Sequence, residues 1–186
     1  MAVGGFGGIG RRRFECARVN ALRMLRNLRF LSQRQRLQLY PPFFFMRMKV
    51  LELTDDWQTV RLRLPLNVFS SNMGGCMFGG HQASLADPVA ALACARRFPG
   101  HEVWTRAMTI DFVAEGNSDL ELRFEFDPWV DQKIRDDLAA RGRSTPQFEY
   151  GFYRQDGVLC SRILNVVAIR PKGYKALQGG KSETIK

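Results

Sequence analysis

Asn72-Met-Gly-Gly-Cys-Met-Phe-Gly-Gly-His-Gln-Ala-Ser-Leu-Ala-Asp87-Pro88 carries a glycine-rich loop straight into an apolar helix that holds a single carboxylate. Glycines let a backbone approach a ligand closely, and a helix start offers unpaired N–H groups to developing negative charge. An acid among alanines, leucines and valines is costly to bury unless it has a partner or a task. The helix is predicted over residues 80–97. Its apolar residues (Ala83, Leu85, Ala86, Val89, Ala90, Leu92 among them) lie nearly all round it, which predicts burial on most sides.

On either side of this stretch the period changes from helical to alternating. Residues 46–53 and 59–64 alternate around a turn at Asp55-Asp56, which predicts a hairpin beginning near Phe43. After the helix, strands are predicted over 102–115 and 119–127, with a turn at Gly116-Asn117. A short helix follows over 128–142, opened by Pro128 and stopped by Gly142. Strands over 147–155 and 158–170 join at Asp156-Gly157, a strong hairpin signal. A hairpin, a buried helix and then antiparallel strands fit one architecture: an α+β fold in which a curved antiparallel sheet wraps a central helix.

The 186 residues suffice for one domain with appendages. The formal charge of +10 suggests a nucleic-acid partner until it is located. Residues 1–40 hold nine arginines against one acid, Glu15, whereas the rest carries 19 basic residues against 17 acidic ones. The basicity belongs to an N-terminal arm. Residues 14–39 read as a basic helix, broken at Pro41-Pro42, that packs on the domain or its dimer mate, with weak membrane-surface contact as the alternative. No specific nucleic-acid partner is expected. The predicted organisation is an arm over 1–42, a domain over 43–172 and a loose tail over 173–186.

The four cysteines (Cys16, Cys76, Cys94, Cys160) are widely spaced and form no metal-ligand pattern, so reduced thiols, a cytoplasmic location and no metal are expected. No apolar run reaches the length of a membrane span. The order of charge and apolar residues at the start is not that of a secretory signal.

The order of elements and the loop–helix stretch resemble the hotdog-fold acyl-CoA thioesterases, specifically the phenylacetic-acid-degradation type and related uncharacterised hotdog families. In that type an Asn precedes a Gly, His-Gly-Gly opens the helix, and an acid lies seven residues after the last Gly. Here Asn72, Gly75, Phe78-Gly79-Gly80 and Asp87 fall at those spacings, over a resemblance that covers about residues 43–171. The family's His is Phe78 here, and His81 lies nearly a full turn further on.

The resemblance implies a thioester hydrolase needing no cofactor, with coenzyme A entering as part of the substrate. In it the Gly80 N–H polarises the carbonyl, Asp87 is base or nucleophile, and Asn72 orients water or carbonyl. Gly79, Phe78 and His81 would line the substrate site, and Arg106, Arg170 and Lys172 would meet phosphates. Seven residues of helix separate Gly80 from Asp87 by roughly 10 Å, too far to share one carbonyl carbon within one chain. A homodimer, or a tetramer built from it, is therefore expected, with each site taking Gly80 from one copy and Asp87 from another.

Other readings stay open at this level. Asp-Pro is also the preferred start of a helix, with Asp87 as N-cap. Asn72 serves equally well as a turn-capping loop residue, and the glycines as close packing. His101, in Pro-Gly-His, is expected in a solvated turn. At the level of function, a non-catalytic acyl- or CoA-binding hotdog protein and an RNA- or membrane-associated module led by the arm are the alternatives. A hotdog hydratase would want a His and an acid converging on substrate, a pair the sequence does not suggest.

Overall fold

The computed structural model describes residues 31–174. In chain order the elements are α1 (Gln33–Gln38), α2 (Pro41–Phe45), β1 (Lys49–Leu53), β2 (Thr59–Leu64) and α3 (Gly79–Arg97). There follow β3 (His101–Phe112), β4 (Leu120–Glu125), α4 (Pro128–Arg141), β5 (Gln147–Tyr153) and β6 (Leu159–Pro171). The six strands form one antiparallel sheet in the order β1-β2-β4-β5-β6-β3. The sheet curves around α3, the hotdog arrangement.

Alternation sets the inner face. Val60, Leu62 and Leu64 on β2 and Leu120, Leu122 and Phe124 on β4 are buried, while their arginine and glutamate neighbours point outward. Phe124, Phe126, Phe148 and Tyr150 pack edge-on or tilted in a cluster, with ring centroids 5.1–6.1 Å apart. On α3 the buried residues are Gln82, Leu85, Ala86, Val89, Ala90, Ala93 and Cys94, a stripe at helical spacing.

Burial of α3 on most sides is not what the single chain shows. Ala83, Ala91 and Leu92 are only half-buried, and Ser84, Asp87 and Ala95 are exposed. The sheet covers one face of the helix and leaves the opposite, largely apolar face short of cover.

The basic helix predicted over 14–39 lies mostly outside the described residues. Its described end is α1, opened by a reciprocal cap in which Ser32 and Gln35 satisfy each other's backbone N–H. Pro41-Pro42 does not lead into a strand, as expected from Phe43 onward. The two prolines occupy the first turn of α2, where a missing N–H costs nothing, and the chain becomes extended only at Lys49. Phe43 fills the core from α2 and is almost fully buried. Gly142 ends α4 in the left-handed conformation (φ 64°), a position glycine adopts without a Cβ penalty. No described helix is long and apolar enough to cross a membrane.

Candidate functional site

The loop before α3 is organised by its own asparagine. Asn72 Oδ1 accepts the N–H groups of Gly74 (2.9 Å) and Cys76 (3.1 Å), and Asn72 N–H donates to the Cys76 carbonyl at 2.8 Å. Its carbonyl oxygen is thus occupied by the turn, which leaves the amide nitrogen as the atom free to meet a ligand. Cys76 sits in this loop half-buried, as a free thiol.

Phe78 is the N-cap of α3 and supplies no side-chain cap; its own N–H donates to Ser70 O at 2.7 Å. The N–H groups of Gly79 and Gly80 begin the helix ahead of any intrahelical acceptor. Both glycines lie close against aromatic rings. A Cβ on Gly79 would lie 2.8 Å from the Phe112 ring, and one on Gly80 would lie 2.4 Å from the Phe78 ring. Phe78 therefore lays an aromatic wall across the first turn. His81 stacks edge-on against that ring, with centroids 6.0 Å apart.

Asp87 lies in mid-helix, so the N-cap reading of Asp87-Pro88 is wrong: α3 runs unbroken from Gly79 to Arg97, with Pro88 inside it. Proline removes the N–H that the Ser84 carbonyl would have accepted. Side-chain donors from the sheet meet the carbonyls of the two residues before the proline. Tyr150 Oη donates to Ala86 O (2.8 Å), Thr105 Oγ1 to Asp87 O (2.7 Å) and Asn165 Nδ2 to Asp87 O (3.1 Å). Asn165 Nδ2 also donates to Tyr150 Oη (2.9 Å). Burial pushes the Tyr150 phenol well above its ordinary value, so it remains a neutral donor. One turn earlier, Ser161 donates to Gln82 inside the core. The sheet grips the helix at the residue that bears the carboxylate, while the Asp87 side chain stays exposed.

Sequence reasoning passed over Tyr150, Asn165, Thr105 and Gln82. The signal available was an amide within the apolar run Ile163-Leu-Asn-Val-Val and another in an apolar helix.

The structure distributes the remaining candidates along β3. That strand runs antiparallel to α3, so Phe112 meets Gly79, Thr105 meets Asp87, and the start of β3 follows the end of α3. Arg106 is exposed at the irregularity between Thr105 and Ala107, where it is the extra residue against β6. Arg170 pairs with Glu102 at the far end of β3, and its guanidinium donates to Ser144 O, Ile169 O and Thr145 Oγ1. Lys172 is exposed just beyond it. Ten strand residues, roughly 33 Å, thus separate Arg170 from the Gly79–Gly80 turn within one chain. His101 is not in a solvated turn: it opens β3 opposite Pro171, and its Nδ1 is buried with no described partner. Asp111 is exposed, in register with Arg162. Among the described residues no group of three or more His, Cys, Asp or Glu side chains is placed to hold a metal ion.

Residues 30–167 match the family described as Domain of unknown function (DUF4442). No curated protein matches the chain in sequence. Among solved structures, the chain is similar to a Pseudomonas aeruginosa protein of unknown function described as a probable thioesterase. That likeness has a TM-score of 0.66 and 18% identity, and covers 74% of this chain and 93% of the other. A thioesterase from Haemophilus influenzae aligns with a TM-score of 0.59 and 12% identity, over 76% of this chain and 92% of its own. A hypothetical thioesterase from Streptococcus pneumoniae, solved with coenzyme A, gives 0.51 and 17%, over 67% and 86%. At these identities the likeness establishes the hotdog fold.

Proposed function

We propose that this chain, which belongs to the DUF4442 family, is a thioester hydrolase whose sites form between two copies joined along β3. The observation that carries the reading is the continuity of α3: an uncapped first turn at Gly79-Gly80 and an exposed Asp87 two turns further on, over the same edge of the sheet. The names of the structural neighbours, one of them solved with coenzyme A, support a coenzyme A thioester as the substrate class.

The geometry of β3 suggests how the halves meet. Phe112 lies beside Gly79, and Thr105 holds Asp87. A two-fold axis centred on Thr109, with β3 antiparallel to its copy, sets Ala107 opposite Asp111 of the partner subunit. Once the extra residue Arg106 is counted, Thr105 falls opposite Phe112 of the partner subunit. Asp87 of one copy then faces the helix start of the other. The same operation carries Arg106, Arg170 and Lys172 of one copy toward the other's Gly79-Gly80 turn, where phosphates would lie.

In this site the Gly80 N–H, helped by the α3 dipole, holds the thioester oxygen as it gains charge. Asp87 acts either as the base that takes a proton from water or as the nucleophile, and the thiolate of coenzyme A leaves. Asn72 presents its free Nδ2, and the Phe78 ring walls the site where the phenylacetic-acid-degradation type of thioesterase has a histidine.

Hydrolysis of a panel of acyl-CoAs by wild type and Asp87→Asn tests the reading. The substitution is expected to lower kcat roughly 10²–10⁴-fold with little change in thermal stability, since the side chain is exposed. No thioester cleaved by wild type, or full activity in Asp87→Asn, overturns it.

A further inference from the structure

We infer that the face formed by α1, α2 and the loop between β2 and α3 docks the protein on an anionic phospholipid surface; this does not rest on the hydrolase reading above. Phe45 is 80% exposed, Val68 83% and Phe69 70%, and Leu39 and Phe44 are exposed as well. Leu39, Phe44, Phe45 and Phe69 line one groove, and Val68 precedes Phe69. Large apolar side chains left side by side in water mark an interaction surface, which single scattered ones do not. The fold holds them outside. Phe43 anchors α2 in the core, and successive helical residues lie about 100° apart, so Phe44 and Phe45 turn away from it. Buried Ser70 donates to Pro65 O at 2.7 Å and accepts the Asn67 N–H at 2.9 Å, which sets Val68 and Phe69 at the loop's tip.

The charge on this face has one sign. Residues 16–51 contain no Asp or Glu, and residues 65–76 contain none either. Arg47 and Lys49 line the groove, and Arg34 is exposed on α1. The Arg47 guanidinium lies 5.5 Å from the centre of the Phe69 ring. The acids that border the face are engaged: Glu52 pairs with Arg61 at 3.8 Å, and Asp119 accepts the Leu66 N–H at 2.9 Å. Residues 1–30 join the chain at Leu31, on the groove's rim, and add seven arginines against one acid.

An apolar face that is positive throughout repels a second copy of itself and the basic arm alike. A nucleic-acid strand would want rings set as stacking platforms. Phe44 and Phe45 instead stand at 76° to one another, with centroids 5.9 Å apart. A bilayer of anionic lipid matches both halves of the face: the ring and aliphatic tips enter its interface, and the arginines and lysine stay among the phosphates. β1, on which α1 packs, lies at the opposite edge of the sheet from β3, so docking leaves the proposed dimer edge clear.

The test is co-sedimentation of the full chain with vesicles of phosphatidylcholine alone or mixed equally with phosphatidylglycerol. The mixed vesicles are expected to bind it at least about tenfold more tightly, and high salt to weaken that binding. Phe45→Ser and Phe69→Ser, both at exposed positions, are each expected to weaken it about tenfold. Arg47→Asn removes a charge yet tolerates the left-handed backbone at this position (φ 54°), and about a fivefold loss is expected. No binding, or equal binding to both kinds of vesicle, overturns the inference. Full binding in all three variants overturns it too, by assigning the contact to residues 1–30 alone. A change of oligomeric state in Phe45→Ser without vesicles would give the face to a second copy. Binding of oligouridylate that Phe45→Ser weakens, with no binding to the mixed vesicles, would give it to nucleic acid.

Discussion

The sheet has two edges, and the chain treats them in opposite ways. β1 has five residues, an irregularity between Val50 and Glu52, and α1 packed beside it, with Gln38 accepting the Val50 N–H. A second tie at this end joins Trp57 Nε1 to Gln33 Oε1 at 3.0 Å. β3 has twelve residues, no strand beyond it among the described residues, and exposed Trp104 and Phe112. A long edge with exposed aromatics invites another strand, whereas a short, irregular edge covered by a helix does not. The closed edge is finished within one chain; the open edge is where Asp87 and the α3 start lie. Folding alone completes the first, and in the function proposed here association completes the second.

The largest effect is expected from breaking the open edge at its proposed axis. Thr109→Asp would set two carboxylates directly opposite one another, so a shift to monomer in sedimentation and a roughly hundredfold or greater loss of hydrolysis are expected. Thr109→Cys sharpens the same point, since an interchain disulfide should form under mild oxidation if the two residues face each other. A dimer that survives Thr109→Asp with full activity would place the interface elsewhere.

Next in size is the grip on α3 beside that edge. Asn165→Leu removes the donor shared by Asp87 O and Tyr150 Oη inside the core. A loss of about 1–3 kcal/mol in denaturant unfolding is expected, together with lowered kcat. A loss of stability without any change in kcat would reduce Asn165 to a packing role.

The closed side predicts a pH effect. Burial alone would raise the Asp131 pKa, but hydrogen bonds and charge from Arg135 and Arg97 outweigh it and hold the carboxyl below its ordinary value. The Asp131 carboxylate thus stabilises the fold above the ordinary carboxylate range, and that contribution is lost as pH falls through its depressed value. Asp131→Asn is expected to cost about 1 kcal/mol at neutral pH and to make the acid limb of thermal stability shallower. An unchanged acid limb counts against this ion pair.

The smallest effect is expected from Gln33→Ala, which removes the acceptor of Trp57 Nε1 at the closed edge: about 0.5–1.5 kcal/mol with oligomeric state and kcat unaltered. Association or loss of activity in that variant would remove the contrast between the two edges.

Much of the fold was legible because the relevant signals are local. Alternation at residues 59–64 and 119–127, the turn at Asp156-Gly157 and the stop at Gly142 depend on neighbours a few residues away. Pro41-Pro42 misled for a related reason: proline breaks a helix interior but opens a first turn, and only the packing of Phe43 into the core selects the second outcome. The candidate site divides the same way. The spacing of Asn72, Gly79, Gly80 and Asp87 stands in the sequence, as does the basic arm set apart from a nearly neutral domain.

The tertiary structure decided what those residues surround. Asp87-Pro88 can start a helix or interrupt one, and local propensity favours the start. The helix runs through the proline, and donors from Thr105, Tyr150 and Asn165, brought from β3, β5 and β6, meet the carbonyls of the two residues before it. Composition likewise predicted burial of α3 on most sides, but the strand order left one of its faces beside an open edge. Such outcomes depend on contacts between residues far apart in the chain, and a single sequence records the donors without recording which carbonyl they will meet.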